Sequence, residues 1–215
     1  MGAIRCFREP IQEIYDAARY LDAGVSAHLA GYTEIADQLF RLANDMKVWE
    51  WTDSIWGSNS QYVIVNKQPS LHSKPKAKNR MPNAVMKSEL HERDGYHCRF
   101  CGIPVIHSDI RKHLHKLYPD AIPWGNTNAT QHAGFQCLWL QYDHVVPYSA
   151  GGENTLENLI ITCSACNYGK MNYTLEELDL LDPRDFNSIQ STWDGLERLK
   201  ISNKSLQADA ATPRR

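Results

Sequence analysis

Along the first third of the chain, apolar positions recur at helical spacing. Ile11, Ile14, Tyr15, Ala18 and Leu21 form one stripe, which stops at Gly24. After Gly31, Thr33 offers a cap, and Ile35, Leu39, Leu42, Met46 and Trp49 recur at alternating steps of four and three. Trp51, Ile55 and Trp56 carry the apolar surface on to Gly57. The pattern predicts two amphipathic helices forming a hairpin within residues 1–69. The plain use of such a stripe is packing on the rest of the chain. The tryptophan cluster leaves a second use, a surface for a protein partner or a second copy, since Trp is enriched at interface hot spots.

Residues 70–83 have no apolar period. Pro75 and Pro82 alternate with Lys74, Lys76, Lys78 and Arg80, so this stretch reads as an extended basic linker. Asn83 caps a short helix over 84–93, which ends at the Asp94-Gly95 turn. A further helix is expected over 109–118. Residues 138–147 read as a strand carrying Asp143-His144, and a loop with Gly151-Gly152, Asn154 and Asn158 follows. Leu159-Ile160-Ile161-Thr162 reads as a second strand, running into a helix that bears Asn167 and Lys170. Beyond Thr174, helices are expected within 175–201, and 202–215 reads as a disordered tail. No internal repeat interrupts this order.

Composition permits a folded core: 42% of the 215 residues are hydrophobic. No apolar run approaches a membrane span, and the N-terminus lacks the apolar centre of a signal peptide, so a cytoplasmic protein is expected. The formal net charge of −2 argues against a nucleic-acid partner when taken whole. Its distribution argues the other way. Residues 1–71 sum to −3, residues 72–118 to +6 with ten basic and four acidic groups, and residues 119–215 to −5. The basic middle contains Lys74, Lys76, Lys78, Arg80, Arg99, Arg111, Lys112 and Lys116, the candidate contacts to a phosphate backbone.

Four of the six cysteines form two pairs, Cys98-x-x-Cys101 and Cys163-x-x-Cys166, with 61 residues between them. Four thiolates are the donor set of a closed structural zinc site. Cys6 and Cys137 have no such spacing and read as small apolar residues. His72, His91, His97, His107, His113, His115 and His132 lack a partnered motif and are not assigned to metal.

Taken together, Asp143-His144-Val145-Val146-Pro147, Gly151-Gly152, Asn154, Asn158-Leu159, Cys163-x-x-Cys166-Asn167 and Lys170 closely resemble the HNH endonuclease motif, a ββα-metal finger. Cys98-x-x-Cys101 resembles the zinc-ribbon pair of the branch that carries structural zinc. The resemblance covers about 84–172. It implies an α+β chain, mainly helical, whose finger is stapled by the zinc ribbon within an 84–174 nuclease unit with an insertion at about 103–136. It also implies a metal-dependent nuclease acting on DNA, with RNA not excluded, in restriction, phage defence or a mobile element. His144 would be the general base. Asp143 and Asn167 would hold Mg²⁺ or Mn²⁺. Asn158 would support the loop and orient His144, and Lys170 would neutralise phosphate.

Two departures stand out: Asn167 replaces the last histidine, and 41 residues separate Cys101 from Asp143. The basic 109–118 helix in that gap reads as a DNA-contacting element. Because Asp143 and His144 are neighbours, regular strand alternation would turn them to opposite faces, so a bend or bulge is expected there. The rivals to a nuclease are a zinc-ribbon nucleic-acid-binding module without catalysis and a nuclease subunit silent until a partner engages it.

Overall fold

The computed structural model describes residues 2–56, 60–63 and 80–200, and the calls at Lys74, Lys76, Lys78 and 202–215 lie outside them. Three helices, not two, open the chain: α1 (Gln12–Leu29), α2 (Thr33–Leu42) and α3 (Met46–Ile55). Gly24 does not stop α1. It lies where the helix meets the Phe40 ring, and a Cβ there would stand 2.5 Å from Phe40 Cε1. The expected second helix breaks after Leu42, and Asp45 starts α3 by accepting a hydrogen bond from the Lys47 amide at 2.8 Å.

That break changes which residues face inward. Ala36, Phe40, Val48, Trp51 and Ile55 are buried, whereas Ile35, Leu42 and Met46 of the expected stripe are exposed. The hairpin packs on the rest of the protein. Phe40 O accepts from His132 Nε2 at 2.9 Å, Asn44 Oδ1 from the Ala133 amide at 2.7 Å, and Asp22 pairs with Arg198 at 2.6 Å. Trp51 is core, its indole N–H donating to Glu9 O.

Next come α4 (Ala84–Asp94), capped by Asn83 Oδ1 on the Met86 amide, and α5 (Ser108–Leu117). The short α6 (Ala133–Cys137) leads into β1 (Leu140–His144), β2 (Leu159–Cys163) and α7 (Ser164–Lys170). The two strands pair antiparallel, Leu140 opposite Cys163 and His144 opposite Leu159. The fold is α+β, and its helices supply more of the core than its two strands do. Asp94, fully buried, locks α4 to β2: its carboxylate takes both arms of Arg93 at 2.7 Å and the Ile161 amide at 3.0 Å.

The C-terminal segment corrects the sequence expectation. Over 175–185 it forms single 3₁₀ turns in place of an α-helix, Glu176–Leu178 and Pro183–Asp185, with Asp179 left-handed between them. α-Helical backbone appears only at the end of the described residues, over 198–200. Tertiary bonds override its helical pattern: Ile4 N donates to Asp179 O, Leu181 N to Ile4 O, and Arg99 to the carbonyls of Pro183 and Phe186. Among the described residues, no helix is long and apolar enough to cross a membrane.

Candidate functional site

Cys98 and Cys101 sit on a knuckle ahead of α5, while Cys163 and Cys166 lie at the junction of β2 and α7. The four sulfurs lie within 4.8 Å of one another, and Cys101 and Cys163 are 3.8 Å apart. A tetrahedral zinc with bonds of about 2.3 Å requires sulfur–sulfur edges of about 3.8 Å. The cluster fits that ion. Burial opposes ionisation at Cys98, but hydrogen bonds from the other three cysteines hold its thiol below the ordinary value. Burial and the neighbouring sulfurs push Cys101 up, and the neighbouring sulfurs foremost push Cys166 up. Clustered thiolates repel one another, and a bound cation is what lets such a set ionise together. Cys6 and Cys137 lie apart from the cluster as buried small residues. Burial foremost raises the thiol of Cys6 to about 12.

On the far side of the finger, a cavity of roughly 510 Å³ is lined by Asp143, His144 and Asn167, together with Arg80, Met81, Gln141, Tyr142, Tyr168, Met171 and Asn172. Strand β1 brings Asp143 and His144, and α7 brings Asn167. The ladder stays in register through His144, with no bulge, so the expected distortion is absent from the strand. The chain bends immediately afterwards, at Val145 and Val146. There Asn158 clasps it: Oδ1 accepts from the Val146 amide at 2.8 Å, and Nδ2 donates to Val146 O and Glu153 O. Asn158 thus holds the loop and stands outside the cavity wall.

His144 is buried, and its Nε2 has no hydrogen-bond partner. Burial first, then the cations Lys170 and Arg80, hold its imidazole below the ordinary value, with Asn154 pulling weakly the other way. Burial raises the Asp143 carboxyl, and Lys170 and the His144 amide oppose that rise.

Lys170 corrects the sequence reading. Its side chain is fully buried, with Nζ donating to His144 O at 2.7 Å and standing 3.2 Å from Asp143 Oδ2. It braces the Asp-His dipeptide from behind and does not line the cavity. Two expected backbone contacts are also internal. Arg99, its side chain 10% exposed, is tied to the C-terminal carbonyls at 2.7 and 2.6 Å. Arg111 is buried with its guanidinium 3.6 Å from the Trp124 ring centroid. Lys112 and Lys116 are exposed on α5, but no residue of α5 lines the cavity. Arg80 does.

Sequence reasoning missed Met81, Tyr142, Tyr168 and Met171 on the cavity wall. Adjacency to Asp143 and Asn167 marked Tyr142 and Tyr168, but no motif spacing singles out a tyrosine or a methionine as part of a metal or acid–base site.

Residues 135–172, from α6 to just past α7, match the family model of the HNH endonuclease. No curated protein and no solved structure matches the chain.

Proposed function

Given an HNH endonuclease match over residues 135–172, we propose that this protein hydrolyses phosphodiester bonds of DNA, leaving 5′-phosphate and 3′-hydroxyl ends. The observation that carries the reading is the unpartnered Nε2 of His144 in a cavity it shares with Asp143 and Asn167. An imidazole with a depressed pKa is neutral at pH 7. Its ring nitrogen, uncommitted to any hydrogen bond, is kept for the proton of an attacking water once substrate opens the site to it. Lys170 and Arg80 disfavour the resulting imidazolium and so favour release of the proton it has taken.

The oxygen donors Asp143 and Asn167 suit a hard divalent ion, Mg²⁺ or Mn²⁺, better than a softer one. When bound, that ion would supply the charge that stabilises the departing oxygen. Lys170 acts as a positioning residue: it fixes the Asp143 carboxylate and the His144 backbone in one contact. Zinc at Cys98, Cys101, Cys163 and Cys166 has a structural role. Arg80 is the cation placed to meet a substrate phosphate. Restriction, phage defence or a mobile element is the setting in which such an activity belongs.

Asn167, at the position where the resembled motif carries histidine, favours the second reading, a DNA-binding module without catalysis. Supercoiled plasmid with Mg²⁺ or Mn²⁺ separates the two. The expected result is nicking or linearisation by the wild type and a loss of about 10²- to 10⁴-fold in His144→Ala. Equal rates in both proteins would remove His144 from the chemistry; salt-sensitive binding without any cleavage would select the module.

A further inference from the structure

The cavity wall carries more than acid–base and metal-binding groups. Met81, Tyr168 and Met171 line it and are 55%, 43% and 40% exposed. Hydrolysis of a phosphodiester gives these side chains no task, and leaving them wet beside the site is unfavourable. Met171 carries an additional cost: its φ of 49° and ψ of −125° lie where glycine is favoured. The turn is held by the Met171 amide donating to Asn167 O at 3.0 Å, so the helix end that presents Asn167 also presents Met171. Tyr168, next to Asn167, is braced edge-on by Trp56 with ring centroids 5.4 Å apart. On the facing segment, Asn154 Nδ2 donates to Met81 O at 3.3 Å, fixing Met81 beside Arg80. Two methionines, one aromatic ring and one guanidinium therefore share the cavity with His144.

Resting on the DNA-hydrolase reading above, we infer that this rim receives unstacked bases, so that the favoured substrate is single-stranded or locally unpaired DNA at the cut position. An aromatic ring and apolar wedges beside a cation are the combination that accepts splayed bases while holding their phosphate. In an unbroken duplex the bases are stacked away, and the rim gains nothing.

Binding of a 2-aminopurine single strand, a bubble duplex and a perfect duplex, without divalent metal, tests this. Wild type is expected to bind the first two at least about tenfold more tightly than the duplex. Tyr168→Ala and Met81→Ala each remove about tenfold of that preference, with duplex binding little changed. Met171→Gly keeps the assay decisive if the other variants unfold, because it should raise the melting temperature while lowering the preference. Equal binding of the three DNA forms, or variants that leave the preference intact, overturns the inference. A protein that shows the preference but cuts nothing with Mg²⁺ or Mn²⁺ refutes hydrolysis and supports the base rim. One that nicks plasmid yet binds all three forms alike refutes the rim alone.

Discussion

Two histidines twelve residues apart sit at the two ends of the β1 approach, His132 fully buried and His144 at 7% exposure. His132 caps α6: its Nδ1 accepts from the Phe135 amide at 3.2 Å, and its Nε2 donates to Phe40 O at 2.9 Å. Both nitrogens are spent, and the neutral tautomer is fixed. At His144 it is the backbone that is tied down, by Lys170, while Nε2 of this cavity-lining residue is buried without a hydrogen-bond partner. Burial therefore does not distinguish a structural imidazole from the one proposed as a base. The distinction lies in whether the hydrogen-bonding capacity of the ring is already satisfied.

The largest expected effect concerns the metal that would hold together the strands and helix carrying His144. Structural zinc contributes on the order of 10 kcal/mol in small zinc domains. Cys166→Ala should therefore lose the metal and the ordered finger, and cleavage with them, whereas Cys137→Ala costs no more than an ordinary small core truncation. Metal analysis with circular dichroism measures this. A Cys166→Ala protein that stays folded and cleaves would show that the ββα unit needs no zinc.

The finger was legible in sequence because its chemistry fixes spacing. Two cysteine pairs and the Asp143-His144, Asn158 and Asn167 series work only at set intervals, so one reading of the chain places them. The N-terminal helices carry no such constraint. Ala43-Asn44-Asp45 holds neither glycine nor proline, and its one signal for the break that rotates Phe40 inward in place of Leu42, the Asn44-Asp45 cap pair, was masked by an apolar stripe that runs on across it. Arg99 and Arg111 were misread for a related reason. A count of charges does not say whether a guanidinium meets carbonyls, a Trp124 ring or water. The C-terminal segment has helical periodicity, but the bonds that hold it open come from Ile4 and Arg99, far away in the chain.

Acid separates the two histidines next. Burial depresses His132 to about 4, so the unfolded chain binds its proton first as pH falls. Its contribution to stability is intact above pH 6.5 and is lost progressively down to pH 4, a change of about 3 kcal/mol. His132→Phe should cost about 1–3 kcal/mol at neutral pH through its lost hydrogen bonds, and should flatten acid unfolding across that window. Cleavage per folded molecule should stay unchanged. His144 shares that sign, since burial lowers its pKa too, but adds a readout His132 lacks: cleavage falls with pH as its ring protonates, with a midpoint below the ordinary histidine value. Denaturant melts and rate profiles at matched pH provide both curves. If His132→Phe moves the acid limb of cleavage, the two histidines are coupled and the contrast fails.

The smallest effect concerns where the basic surface meets DNA. Of the cations in the +6 segment, Arg80 lines the cavity, and Arg99 and Arg111 are internal. Lys112 and Lys116 point to water from α5, with Lys112 already 3.6 Å from Asp109. Each phosphate contact contributes about 0.9 to the slope of log affinity against log salt. Arg80→Gln should therefore flatten the slope by about one unit. Changing Lys112 and Lys116 together to Gln should move it by well under one unit, despite removing twice the charge. Binding titrations across a salt series measure both. A loss near two units for the lysine pair would lay the DNA path along α5, and the inserted helix, set apart from the cavity, would then be the arm that positions the strand for His144.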